Sequence, residues 1–243
     1  MRIDVHSLKS FYASPLGEAA ARMMERRLKT LWPDCEGRDV LGIGYPMPLL
    51  ERYRAGARRV AALAPAAQGA QAWAPGGASL SALGDETRLP FMDSVFDRVL
   101  LVHALEEAEN TRAFLREVWR VTAPEGRLLV VAANRLGLWA RGDATPFGHG
   151  RPFTRLQLGR LLSGSLFEPT VSARALFAPP FPWCARFATP FERVGEKLWP
   201  AFGGLVLMEA VKRLYVEPDA AAPAKTRVAR AAAPAQNLPA EAA

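Results

Sequence analysis

The sequence predicts an α/β fold in which a mostly parallel sheet carries helices on both faces. Three observations predict it. Strand-like and helix-like stretches alternate from residue 39 onward, the pattern of parallel strands joined by crossover helices. The run Arg98-Val99-Leu100-Leu101-Val102 is almost continuously apolar, as a strand buried on both faces requires. The turn Gly42-Ile43-Gly44 falls between a strand-like and a helix-like stretch, where a parallel sheet changes direction.

The elements follow in order. Ser14-Pro15 places an N-cap before a proline at the first helical position. Leu16, Ala20, Met23, Leu28 and Leu31 then share one helical face until Trp32-Pro33 ends it. Residues 39–43 read as the first strand, 48–55 as a helix, 59–63 and 78–83 as the second and third strands, and 98–102 as the fourth. Residues 111–121 read as a helix with Phe114, Leu115, Val118 and Val121 apolar. Pro124-Glu125-Gly126 is a turn, and 127–133 is the fifth strand. Thr154-Arg155-Leu156-Gln157 is a capping box opening a helix to about 162. Residues 170–176 and 204–210 read as two final strands. The chain divides into an N-terminal helical segment at 1–35, the sheet domain at 36–216, and an Ala/Pro-rich tail at 217–243. That tail has too little apolar surface to offset its ordering entropy and reads as disordered.

Composition narrows the function classes. Half of the 243 residues are hydrophobic, so a packed core is expected. No apolar run is long enough for a bilayer span, and the start MRIDVHSLKS lacks the apolar centre of a signal peptide. Cys35 and Cys184 form no metal-type pair, so no metal is expected and a cytoplasmic setting with reduced thiols is. The net charge of +7 comes from scattered arginines rather than a basic run, which argues against nucleic acid as the partner.

The segment from Gly84-Asp85-Glu86-Thr87-Arg88-Leu89-Pro90-Phe91 through Asp93, Phe96 and Asp97 to Val102 carries more chemistry. It sets an acid at a loop end, then a Leu-Pro-Phe wedge, then a strand opened by Phe-Asp. The segment resembles the adenine-binding stretch of class I S-adenosylmethionine-dependent methyltransferases of the type 11-like group. The helix, Pro-Gly turn and strand at 117–130 resemble the same family, as does the turn after the first strand. Together the resemblance covers about residues 39–133. It implies a Rossmann-like seven-stranded sheet with an antiparallel last strand. It further implies S-adenosylmethionine as cofactor, held by Gly42, Gly44, Tyr45, Asp85 and Glu86. Asp85 corresponds to the acid that accepts from the adenine amino group, and the Glu86 amide to the donor that meets a ring nitrogen. The loop departs from the family at Val40, where an acid is usual, and at Pro46, where a third glycine is usual. The end of the second strand has no carboxylate for a ribose diol.

His103 follows the fourth strand, at the edge where open parallel sheets bind ligands. It is either a general base toward an alcohol, phenol or amine or a residue that shapes the pocket. The irregular stretch 134–153 supplies Asn134, Arg135, Trp139, Arg141, His149 and Arg151 as candidates for binding the methyl acceptor. An Asn/Asp-Pro-Pro-aromatic motif is absent, which points to a small-molecule or lipid-like acceptor. The alternative is a non-catalytic module of the same fold that uses its basic loop to bind a partner or nucleic acid.

Overall fold

The computed structural model describes residues 2–73 and 78–214, together with the backbone of 227–228. A single sheet runs in the order β3-β2-β1-β4-β5-β7-β6-β8. Its strands are β1 Asp39–Gly44, β2 Arg59–Pro65, β3 Ser81–Gly84, β4 Phe96–Val102, β5 Thr122–Ala133, β6 Phe167–Ala175, β7 Leu205–Lys212 and the two-residue β8 Arg227–Val228. β1 pairs in parallel with β2 and β4, and β3 and β5 extend that parallel set. β7 runs antiparallel between β5 and β6. The seven-stranded plan with its antiparallel last strand is therefore present, and β8 adds a short parallel rung on β6.

The helices are α1 Val5–Tyr12, α2 Pro15–Leu31, α3 Met47–Leu50, α4 Thr111–Val121, α5 Arg155–Ser163 and α6 Ala188–Leu198. α4 and α5 cover one face of the sheet. Phe114, Leu115, Val118 and Val121 of α4 are fully buried against Leu41, Val99, Leu101 and Val130. Each such side chain contributes about 1.5–3 kcal/mol of burial. The opposite face packs α1, α2 and α3 on Val40, Leu100, Leu129 and Leu207 in one continuous core. The helix starts follow the sequence signals. Ser14 accepts from Gly17 N at the head of α2, and Thr154 and Gln157 complete the capping box of α5.

Four elements differ from the sequence reading. The predicted helix at 48–55 is the four-residue α3 followed by a 3₁₀ turn at Glu51–Tyr53. The turn at Pro124-Glu125-Gly126 lies inside β5 as a bulge: the register against β4 shifts between Phe96 and Arg98, and Glu125 has a φ of 57°. α1 and α6 are additional. α1 is short, and Asp4 starts it by accepting from His6 N and Ser7 N. α6 has no side-chain cap. Neither carries a long enough apolar period to stand out. The Ala/Pro-rich tail, apart from the two residues of β8, lies outside the described residues.

Candidate functional site

The site lies where the carboxyl ends of β1 and β4 meet. β1 leaves the sheet at Gly44, whose φ is +93°. A Cβ there would lie 2.1 Å from the Val102 carbonyl oxygen. Tyr45 N donates to that same oxygen at 2.8 Å, so the chain turns hard against β4. A Cβ on Gly42 would meet the side chains of Pro46 and Leu50 at 2.5 Å. Both glycines therefore close the turn from within.

His103 follows β4 with a φ of 49°, and it is buried. Its Nε2 is hydrogen-bonded to the Tyr12 hydroxyl at 2.8 Å. The Phe147 ring lies 4.6 Å from the imidazole. Burial pushes the imidazole down to about 3, so it is neutral at pH 7. Tyr12 in turn stacks on Tyr45, with ring centroids 5.4 Å apart, and packs edge-on against Phe11. Trp139 closes the group against Phe147 at 5.6 Å. Six rings drawn from five separate parts of the chain thus form one aromatic cluster at the edge.

The N-terminus crosses the same edge. Arg2 pairs with Glu86 at 2.6 Å and lies 3.6 Å from Glu107, and it donates to the Ala104 carbonyl. Ile3 N donates to Glu107 Oε2, and Val5 N donates to the Gln68 carbonyl. Glu86 follows β3 and Ala104 follows β4, so residues 2–5 lie across the ends of β2 and β1 between them. Close in sequence to these contacts are buried polar atoms without partners among the described residues: both amide atoms of Gln68 and Oε2 of Glu106. Such atoms are costly unless something binds them.

Glu106 is buried, and its Oε1 accepts from Ala133 N at 2.9 Å. Desolvation pushes its carboxyl up to about 7. The folded protein therefore keeps this proton between pH 4.5 and 7, where the unfolded chain has released it, and stability falls as pH rises through that window. His103 acts in the opposite sense: the unfolded chain takes up its proton between pH 6.5 and 3 while the folded protein does not, so stability falls as pH falls. Glu106→Gln should remove only the first effect. Urea midpoints of variant and wild type should diverge, in favour of the variant, as pH rises from 4.5 to 7. A difference that does not change with pH would refute the raised carboxyl.

The other residues expected from sequence are spread more widely. Asp85 is exposed, and its Oδ1 accepts from Thr87 N and Thr87 Oγ at 2.7 and 2.8 Å. These bonds hold its carboxyl below the ordinary range. Glu86 is buried beneath Arg2. Asn134 donates to the Ala201 and Gly203 carbonyls and accepts from Leu136 N. The Trp139 indole donates to the Ala178 carbonyl at 2.7 Å. Arg135 reaches the Pro152 carbonyl, and His149 contacts the Asp143 carbonyl at 3.3 Å. Arg141 and Arg151 are exposed. Of the six acceptor candidates, Trp139 joins the aromatic cluster around His103, and Asn134 is used in tying the end of β5 to the turn before β7. Sequence reasoning missed Arg2, Tyr12, Gln68, Glu106 and Phe147. The only available signal was an acid at 106 just after an apolar strand. Among the described residues no group of three or more metal-ligating side chains is arranged to hold an ion.

Residues 40–130 match the family model described as a methyltransferase domain. The chain is 57% identical over 47 residues to the demethylmenaquinone methyltransferase of Mycobacterium tuberculosis. That match spans 19% of this chain and 20% of the relative, so the chain aligns with only about a fifth of the relative's length. Among solved structures, a methyltransferase from Thermotoga maritima aligns with a TM-score of 0.58 at 18% identity, covering 86% of this chain and 96% of that one. The 1,6-didemethyltoxoflavin-N1-methyltransferase of Burkholderia thailandensis, solved with S-adenosylhomocysteine, aligns with a TM-score of 0.50 at 17% identity. It covers 86% of this chain and 82% of its own. At these identities the structural likeness establishes the fold.

Proposed function

We propose that this chain, a class I S-adenosylmethionine-dependent methyltransferase by its matched domain and its fold, transfers a methyl group to a small-molecule acceptor. The carrying observation is that the matched segment runs from β1 into β5, and the connections after β2 and β4 within it hold the polar atoms of Gln68 and Glu106 that have no partner among the described residues. Those atoms fit a ligand rich in hydroxyl and amino groups. Gly42, Gly44 and Tyr45 would shape the loop beside it, Asp85 and the Glu86 amide would take the adenine, and Gln68 stands near the end of β2, where the family's ribose-binding acid is missing. When bound, the cofactor supplies a methyl group on a sulfonium, a leaving group good enough that positioning and water exclusion dominate the rate.

The chain's own residues supply that positioning. Arg2 and Ile3 must leave Glu86 and Glu107 for a ligand to enter and can return over it afterwards. The aromatic cluster around His103 offers a flat apolar wall and excludes water. His103 is neutral, and burial makes it a weak base, so it would take a proton at Nε2 only when the Tyr12 hydroxyl moves aside and the edge opens to water. The name of the mycobacterial relative, a demethylmenaquinone methyltransferase, supports an acceptor of the small-molecule class. The unpaired, buried thiols of Cys35 and Cys184 support a cytoplasmic setting. Among the described residues no helix is long and apolar enough to cross a membrane.

Titration calorimetry with S-adenosylhomocysteine tests the reading. Binding in the micromolar range is expected, and Asp85→Ala should weaken it by about tenfold or more, the loss of one charge-assisted hydrogen bond. Thr87→Ala, which removes only the local partner of Asp85, should bind nearly as wild type. Equal affinity in the Asp85 variant would remove the adenine assignment. No binding by the wild type would favour a non-catalytic module of this fold, a reading supported by the way residues 2–5 close the edge.

A further inference from the structure

The segment between β6 and β7 builds a surface unlike the rest of the molecule. It comprises a 3₁₀ turn at Pro182–Phe187, then α6, then a second turn at Pro200–Phe202. Six large apolar side chains stand in solvent here, among them Trp183, 61% exposed, Leu198, 69%, Trp199, 38%, and Phe202, 54%, with Phe187 and Val194 beside them. α6 itself is sorted by charge. Its two acids face inward. Glu192 is buried and accepts from Phe177 N, and Glu196 takes a two-point hydrogen bond from Arg27 of α2. A Cβ on Gly195 would lie 2.5 Å from Phe177, so the helix is seated closely and its orientation is set. Outward it presents Arg193 and Lys197 one turn apart, beside Val194 and Leu198 one turn apart. Arg186 adds a third exposed cation, and the segment has no exposed acid.

We propose that this face docks peripherally on an anionic lipid bilayer. Indole and phenyl rings settle at the boundary between headgroups and acyl chains, and an amphipathic helix with cations flanking its apolar row lies in that plane. Anionic headgroups complement Arg186, Arg193 and Lys197. A second copy of a chain with a net charge of +7 would instead be repelled. The face also adjoins the candidate site, since Asn134 at the end of β5 donates to the Ala201 carbonyl. Docking would bring the carboxyl edge of the sheet close to the membrane surface. The proposal stands independently of the reaction catalysed.

Co-sedimentation of the full chain with large unilamellar vesicles tests it. The protein should pellet with vesicles of equal parts phosphatidylcholine and phosphatidylglycerol and stay in solution with phosphatidylcholine alone. Brominated acyl chains should quench its tryptophan fluorescence. Arg193→Glu with Lys197→Glu should weaken binding by about tenfold or more, from the loss and reversal of two surface charges. Trp183→Ala with Trp199→Ala should abolish the quenching. All four positions are exposed, so melting temperatures should not change. Arg112→Glu with Arg116→Glu, exposed on α4, makes the same change in net charge and should retain binding. Failure to pellet, equal pelleting on both vesicles, or equal loss in the α4 control would overturn the proposal. So would self-association in solution that the patch variants abolish.

Discussion

Gly44→Ala should destabilise the protein by about 2–5 kcal/mol, the sum of a left-handed backbone penalty and an overpacking cost. At a φ of +93° an L side chain is strained whatever the surrounding space. Here the space is also filled, because the new methyl would lie 2.1 Å from the Val102 carbonyl and 2.9 Å from that of His103. Both are backbone atoms of β4 and its exit, so relief means separating the neighbouring strands β1 and β4. Gly42 makes the internal comparison. Its added methyl would meet the tip of Leu50, which can shift, and the ring of Pro46, and its φ is not in the left-handed region. Gly42→Ala should therefore cost less, about 1–3 kcal/mol. Urea unfolding followed by circular dichroism gives both values. If the two variants are equally stable, the close approach of β1 to β4 does not constrain this turn. The ranking bears on function because both glycines belong to the loop proposed to hold the cofactor. Their first duty is to bring the end of β1 against β4, and that contact places Tyr45 and His103 side by side at the edge.

The same contrast shows what the sequence could reveal. β1, β4, α4 and α5 were legible because their apolar patterns are pronounced and α5 carries a capping box; the cap of α4 is Asn110, one residue before the Thr111 that the sequence offers. The capping box at Thr154 and the apolar face of α4 appear as read. Knowing the strand ends was enough to place Gly44, Glu86 and His103 at the carboxyl edge. The partners of His103 were not legible. Tyr12 comes from a helix of eight residues, and Phe147 from a 3₁₀ turn at Pro146–Gly148. Neither stretch carries a period that fixes where its ring points. The same holds for Gln68, which lies in an irregular connection and matters only because its amide is buried without a partner. The charge sorting of α6 was hidden for another reason. Glu192 and Glu196 look like solvent-facing acids until Arg27, far away in sequence, is seen to receive them.

Arg120→Ala should cost about 2–4 kcal/mol, as expected when one member of a part-buried, multiply hydrogen-bonded charge cluster is removed. Arg120 lies on α4, yet it organises the segment proposed to bind the adenine. Its NH2 group donates to the Leu89 carbonyl and to Glu117. Its NH1 group donates to the Phe91 carbonyl and to Asp93, and Nε donates to Glu117 Oε1. Glu117 in turn accepts from Leu89 N at 2.9 Å. A planar fork reaching two carbonyls and two carboxylates cannot be copied by an ammonium, so Arg120→Lys should recover only part of the loss. The side chain is 29% exposed, which discounts its ion pairs but leaves its hydrogen bonds to the carbonyls. The loop from Asp85 to Thr87 leads directly into this clamp. The variant should therefore lose affinity for S-adenosylhomocysteine along with stability, whereas Asp85→Ala should lose affinity with little change in stability. Should Arg120→Ala remain within about 1 kcal/mol of wild type and bind as well, the segment is ordered by the packing of Phe91 on Phe96 instead. The family signature from Leu89 to Asp93 would then owe its shape to its own apolar residues rather than to α4.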